Sequence, residues 1–199
     1  MFKKTFTIIV FFALFASNLN AKKLEEIYHD WHVMTTYEDS HKVCYIVSLP
    51  QNMQGNSKER KEPYLLVSKF FERKPEVSLS SGYYFKPGEP VKVNVGKKKF
   101  RLKKIKDDIA WADSDVMDRK IISSMRAGAE LRVYSDSTEG HYSVDTYSLK
   151  GFTKSYMRMN KLCSAAAMKK EATKGKKTKK SKVKSKATKK KAPAAATKK

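Results

Sequence analysis

Two cysteines, four histidines, a set of strand-borne aromatics and a large lysine excess are the residues of this 199-residue chain that could do chemistry. His29 and His32 are the close histidine pair, with Asp30 between them and His41 and His141 elsewhere. On a strand, residues three apart face opposite sides, so this pair is not expected to chelate one ion and reads as surface or strand-end histidines. Cys44 as a nucleophile would need a thiolate-favouring setting and a nearby base, neither of which sequence can show, and a disulfide or a core thiol is expected instead. The sequence contains no G-x-S-x-G, no G-x-x-x-x-G-K, no C-x-x-C and no H-E-x-x-H, the patterns whose spacing carries a known mechanism. The expectation is a non-enzyme without cofactor or metal. Trp31, Trp111, Tyr83, Tyr84 and Phe85 could line a groove of a small-ligand carrier, but aromatics at strand positions more often fill a core.

The remaining chemistry is electrostatic. The chain carries 43 Lys plus Arg against 20 Asp plus Glu, a formal net charge of +23. Residues 169–199 hold 15 Lys and one Glu and so supply +14 of it, while residues 22–168 carry only +7. The tail has Lys mixed with Ala, Thr and Ser and one aliphatic residue, Val183, so it cannot bury enough surface to fold alone. A disordered polycation is expected there. Its polyanion-binding candidates are Lys176, Lys177, Lys179, Lys180, Lys182, Lys184, Lys186, Lys189, Lys190 and Lys191. A second cluster, Lys97, Lys98, Lys99, Arg101, Lys103, Lys104 and Lys106, surrounds one hairpin. It could meet phosphates or carboxylates, or it could simply guard a strand edge against pairing with another chain.

The amino-terminal segment decides where such cations would act. Lys3 and Lys4 precede an apolar run from Thr5 to Ala16, and Asn18 to Ala21 is short, polar and closed by a small residue, the order of a secretory leader. The run is too short to span a bilayer, which needs about 20 apolar residues. Cleavage after Ala21 is expected, with no transmembrane segment left. Leu19 in place of a small residue leaves an uncleaved anchor as the alternative. Export permits a disulfide, and with two cysteines only Cys44–Cys163 can form within the chain; the alternative is two unpaired buried thiols.

Between leader and tail, about 150 residues are enough for a proper core. Trp31–Tyr37, Val43–Leu49, Tyr64–Phe71 and Val77–Ser80 are β-rich runs, with a polar segment over Gln51–Glu62. Val91-Lys92-Val93-Asn94-Val95 alternates with period two, and Gly96-Lys97 turns the chain into Phe100–Ile105, which reads as a hairpin of an antiparallel sheet wetted on one side. Ser114–Ala127 changes period, with Met117, Ile121, Ile122 and Met125 on one helical face, a cap from Asp113, Ser114 or Asp115, and Gly128 expected as a left-handed cap. Strands follow at Glu130–Ser135 and Tyr142–Leu149. Phe152, Tyr156, Met159 and Cys163 then share the apolar face of a closing helix. The fold class expected is mainly β, an antiparallel sandwich or barrel-like domain over 22–168 with two short helices, followed by the disordered tail.

The elements Trp31-x-Val33, Tyr64-Leu65-Leu66-Val67, Gly82-Tyr83-x-Phe85-x-Pro87-Gly88, Ala110-Trp111-Ala112, Met125-Arg126-x-Gly128 and Tyr147-Ser148-Leu149-x-Gly151-Phe152-Thr153 together resemble the invasion-associated locus B family over about residues 28–163. The resemblance implies an exported bacterial domain, linked by its name to invasion of host cells, with no catalytic residues to carry over. Many members look to have a cysteine just after Trp-x-Val, where this chain has Met34-Thr35, which makes Cys163 the candidate partner of Cys44. The function expected is a non-catalytic periplasmic or secreted, envelope-associated protein. Its tail would bind anionic material such as lipopolysaccharide, acidic phospholipid or cell-wall polymer. The alternatives are a nucleic-acid-binding protein acting through a histone-like tail and a small-ligand-binding periplasmic protein.

Overall fold

The computed structural model describes residues 22–39, 41–57, 59–70 and 73–167; the expected leader and tail lie outside the described residues. The elements in chain order are β1 (Lys23–Tyr28), β2 (Trp31–Glu38), β3 (His41–Ser48), β4 (Asn52–Gly55), β5 (Tyr64–Lys69), β6 (Glu76–Ser80), β7 (Val91–Val95), β8 (Lys98–Leu102), β9 (Lys104–Lys106), β10 (Ile109–Trp111), α1 (Asp115–Ala127), β11 (Glu130–Asp136), β12 (Tyr142–Ser148) and α2 (Phe152–Leu162). The strands form two antiparallel sheets, one of seven in the order β1-β2-β3-β5-β6-β10-β9 and one of five in the order β4-β12-β11-β7-β8. Each sheet keeps two edge strands, so the architecture is the sandwich and not a closed barrel.

Alternation places the core. Val91, Val93 and Val95 of β7 are buried while Lys92 is exposed, and on its partner β11 Leu131 and Val133 are buried while Glu130 and Arg132 are exposed. In the larger sheet, register lines up Ser48–Leu65–Leu79–Ala110 and Val33–Ile46–Val67–Val77 as rows on the buried face. Burying each Val or Leu of these rows contributes about 1.5–3 kcal/mol. Both sheets and both helices feed one cluster. α2 packs on β1, β2, β3 and β5, and α1 on β6 and β7. Trp31 is fully buried, donates from Nε1 to the Ser148 carbonyl at 3.0 Å, and meets Phe152 edge-on with ring centroids 4.9 Å apart.

The β7–β8 hairpin forms with the expected two-residue turn, Gly96 taking φ 57°, the place where a II′ turn needs glycine. Its second strand is shorter than the expected Phe100–Ile105. Leu102 is buried and Ile105 packs against the same core, yet residues three apart on one strand face opposite ways. The chain resolves this by breaking at Lys103: β8 stays in the five-stranded sheet and β9 joins the seven-stranded one.

Four further strands depart from the expected set or limits. Gln51–Glu62 is not wholly a connector, since Asn52–Gly55 pairs with β12. β1, β9 and β10 are additional, the last two only three residues each. Ser114 caps α1, with the Met117 N–H donating to its Oγ at 3.4 Å. Gly128 is not a left-handed cap: its φ is −91° and ψ 165°, and glycine is needed there because a Cβ would stand 2.7 Å from Val95 Cγ1. The helix-flanking glycine that is left-handed is instead Gly151 at the start of α2, φ 93°, where a Cβ would collide with the Tyr28 carbonyl.

Candidate functional site

β8 and β9 are consecutive in the chain, and each is the outermost strand of its own sheet. This crossing carries Lys97, Lys98, Lys99, Arg101, Lys103, Lys104 and Lys106, all exposed, along two neighbouring free edges. Among the described residues none of the seven forms an ion pair. Cations on an edge oppose strand addition, and the same unpaired row makes a positive surface that attracts anions. The tail lysines from Lys176 to Lys191 lie outside the described residues.

Cys44, in the middle of β3, and Cys163, at the end of α2, are joined in a disulfide with Cα atoms 5.9 Å apart. Both are buried. The Cys163 N–H donates to Met159 O at 3.0 Å, so the last turn of α2 presents the sulfur to the sheet. Arg158 of the same helix pairs with Glu26 of β1 at 2.7 Å.

The histidines do not converge. His29 takes φ 53° in the β1–β2 turn and His32 is exposed on β2. The aromatics divide: Trp31 and Phe85 are core, Tyr83 and Trp111 are half-buried, and Tyr84 is exposed. Tyr84 and Phe85 line an open cleft of about 760 Å³ together with Pro87, Pro90, Lys103 and Ile105.

A buried polar network was not expected. Arg60 donates to both oxygens of Asp145 at 2.8 and 2.5 Å and to the Ser81 carbonyl at 2.8 Å. The Asp145 carboxylate holds the Arg60 guanidinium even more firmly charged than usual. The Tyr83 hydroxyl lies 2.8 Å from Ser143 Oγ and donates to Ser135 O at 3.0 Å, and Ser81 Oγ is 2.8 Å from Ser135 Oγ. These hydroxyls and the ion pair use one another, so the group acts as a latch that fastens the 59–63 connection to Ser81 and Gly82, just after β6, and to β12. Gly82 completes it: the Lys61 N–H donates to Gly82 O at 3.0 Å, and a Cβ at Gly82, φ 81°, would strike the Lys61 carbonyl.

Asp118 is the second unexpected group. It lies on α1 at 4% exposure and accepts from the Val77 N–H at 2.7 Å. Burial pushes its carboxyl up to about 6, against the Val77 bond, with Glu76, Asp115 and Asp113 adding repulsion. An acid whose pKa is higher in the fold than the unfolded 3.8 contributes stability that is full below that value and lost as pH rises through about 6. Asp118→Asn keeps an acceptor for Val77 and removes the charge. It is expected to raise stability at pH 7.5 by about 1–2 kcal/mol and to flatten its pH dependence between 4 and 7, as read by thermal melts.

Among the described residues no helix is long and apolar enough to cross a membrane. A family model described as invasion associated locus B (IalB) protein matches residues 31–160. The crystal structure of invasion associated protein b from Bartonella henselae is similar at a TM-score of 0.48 and 18% identity, over 70% of this chain and 98% of that one. No curated protein matches.

Proposed function

The chain belongs to the invasion associated locus B family, and from that premise we propose that it is an exported, non-catalytic envelope protein that holds anionic cell-surface material through its cations. The observation that carries this reading is the distribution of charge. Fifteen lysines against one glutamate crowd residues 169–199, and the domain sets seven further cations on its free edges. The leader-like order of Lys3-Lys4, apolar run and Ala21 supports export, and export brings these cations to lipopolysaccharide phosphates, acidic phospholipids or cell-wall polymers. Contacts of this kind are poorly selective and fall steeply with salt, with a log-log slope of about 0.9 per phosphate on duplex DNA.

The test is a titration of the full chain, and of the chain ending at residue 168, against anionic vesicles and duplex DNA at two salt concentrations. Loss of residues 169–199 is expected to remove most of the affinity and of the salt slope, while leaving the thermal transition of the domain unchanged. Equal affinities for both forms would transfer polyanion binding to the domain. A cytoplasmic, uncleaved product that prefers DNA would replace the envelope reading by nucleic-acid binding.

A further inference from the structure

The five-stranded sheet carries a cationic cleft of defined shape that is independent of the tail. β7 pairs with β8 through Lys92↔Arg101 and Asn94↔Lys99, and with β11 through Lys92↔Tyr134 and Asn94↔Arg132. Two rows therefore cross the face opposite Val91, Val93 and Val95: Tyr134–Lys92–Arg101 and Arg132–Asn94–Lys99. In a hairpin closed by a two-residue turn the pair beside the turn, Val95–Lys98, is hydrogen-bonded. Alternation then makes Lys92–Arg101 a non-hydrogen-bonded pair, the type whose side chains stand closest. Two cations directly opposite one another repel.

Among the described residues no carboxylate pairs with either of these two cations. Arg132 is matched by Glu130 at 2.6 Å, whereas among the described residues Lys92, Lys99, Arg101 and Lys103 form no ion pair. These four, with Asn94 and Tyr134, line an open cleft of about 690 Å³, a size suited to a small ligand. Of the described residues that line it, Asp113 is the one acid, and it accepts from Ser114 Oγ at 3.2 Å.

We propose that this cleft binds a phosphomonoester carried on a polar, sugar-like headgroup. The Arg101 guanidinium offers a planar fork of donors to phosphate oxygens, and Lys92, Lys99 and Lys103 match a dianion better than a single carboxylate. Asn94 and the Tyr134 hydroxyl supply neutral hydrogen bonds for ring hydroxyls, and the Tyr134 ring supplies a face to pack on. Lys103 also lines the neighbouring cleft of Tyr84, Phe85 and Ile105, so a phosphate borne on a lipid has an apolar wall beside it. Free and lipid-borne phosphate share this chemistry, and the experiment separates them.

The full chain is titrated at physiological salt with glucose 6-phosphate by calorimetry, and with phosphatidylcholine vesicles carrying either phosphatidylinositol 4-phosphate or an equal charge of phosphatidylglycerol, which lacks the phosphomonoester and so reports what the tail holds by charge alone. Lys92→Gln/Arg101→Gln is compared with Lys150→Gln/Lys154→Gln, which removes the same charge from exposed positions elsewhere and leaves the tail intact. The cleft variant is expected to lose about tenfold or more in affinity for the sugar phosphate, or to lose the preference for phosphatidylinositol 4-phosphate over phosphatidylglycerol vesicles, and the control to bind as the parent does. Saturable binding of the sugar phosphate without a vesicle preference assigns a free ligand, and a vesicle preference without it assigns a lipid. Equal losses in both variants, or neither sugar phosphate binding nor a vesicle preference in the parent, would overturn the proposal. Should the double substitution fail to fold, Lys99→Gln on the edge strand carries the same expectation.

Discussion

Removing the Cys44–Cys163 bond is expected to lower the stability of the domain by about 4 kcal/mol, somewhat below the roughly 5 kcal/mol that chain entropy sets as an upper value for a closed loop of this length. The two residues are 119 apart in sequence and span most of the domain. For a domain of about 150 residues such a loss lowers the melting temperature by roughly 10–15 °C. The effect should exceed that of cutting two buried thiols from an ordinary core, because Cys44 is central in β3 and Cys163 closes α2, the helix on which Trp31 and Phe152 converge. Comparative melts of the oxidised protein, the reduced protein and Cys44→Ala/Cys163→Ala measure it. The reduced protein and the double variant are expected to melt together, well below the oxidised form. Full labelling of both cysteines under denaturing, non-reducing conditions would mean that the bond does not form.

The parts of this fold legible in the sequence are those in which one element declares its own buried face. Val91, Val93 and Val95 mark β7 without reference to any neighbour, and Met117, Ile121, Ile122 and Met125 mark α1 in the same way. Phe152, Met159 and Cys163 do so for α2, all three buried. The strands that escaped notice lack such a face. β4 is exposed at all four positions and β9 at two of three, since an edge strand gains its place from backbone pairing. The break at Lys103 was concealed because Phe100–Ile105 satisfies strand propensity throughout; only the need to bury both Leu102 and Ile105 divides it.

The candidate sites follow the same division. The hairpin cations could be counted from the sequence, but their assembly on two edges depends on the order of strands in both sheets. The row Tyr134–Lys92–Arg101 depends on register across three strands, which no single strand encodes. In β12 the buried residues are Ser143, Asp145 and Tyr147, with Val144 and Thr146 between them, so a carboxylate occupies an inward position and requires a partner. Alternation in the sequence does not say which of the two sets faces the core, because the aliphatic Val144 stands on the other one. Sequence alone could not name Arg60, because it lies 85 residues away in a connection without periodicity.

Arg60→Met is accordingly expected to destabilise the domain by about 3–5 kcal/mol, the cost of breaking a buried ion pair from one side. Asp145 is fully buried and the Arg60 side chain is 7% exposed, so little solvent reaches the carboxylate once the guanidinium is gone. The Ser81 carbonyl loses its donor in the same step, and the 59–63 connection loses its hold on the sandwich. The penalty belongs chiefly to the stranded charge and not to lost attraction, and a second substitution separates the two. Arg60→Met/Asp145→Asn removes the charge while leaving an amide to bond the surrounding hydroxyls, and it should recover at least half of the deficit. Urea unfolding of the parent, both single variants and the double variant gives the coupling energy directly. Additive losses, with the double variant the least stable of the four, would show that the pair is not a unit and that the latch is held by its serine and tyrosine hydroxyls instead.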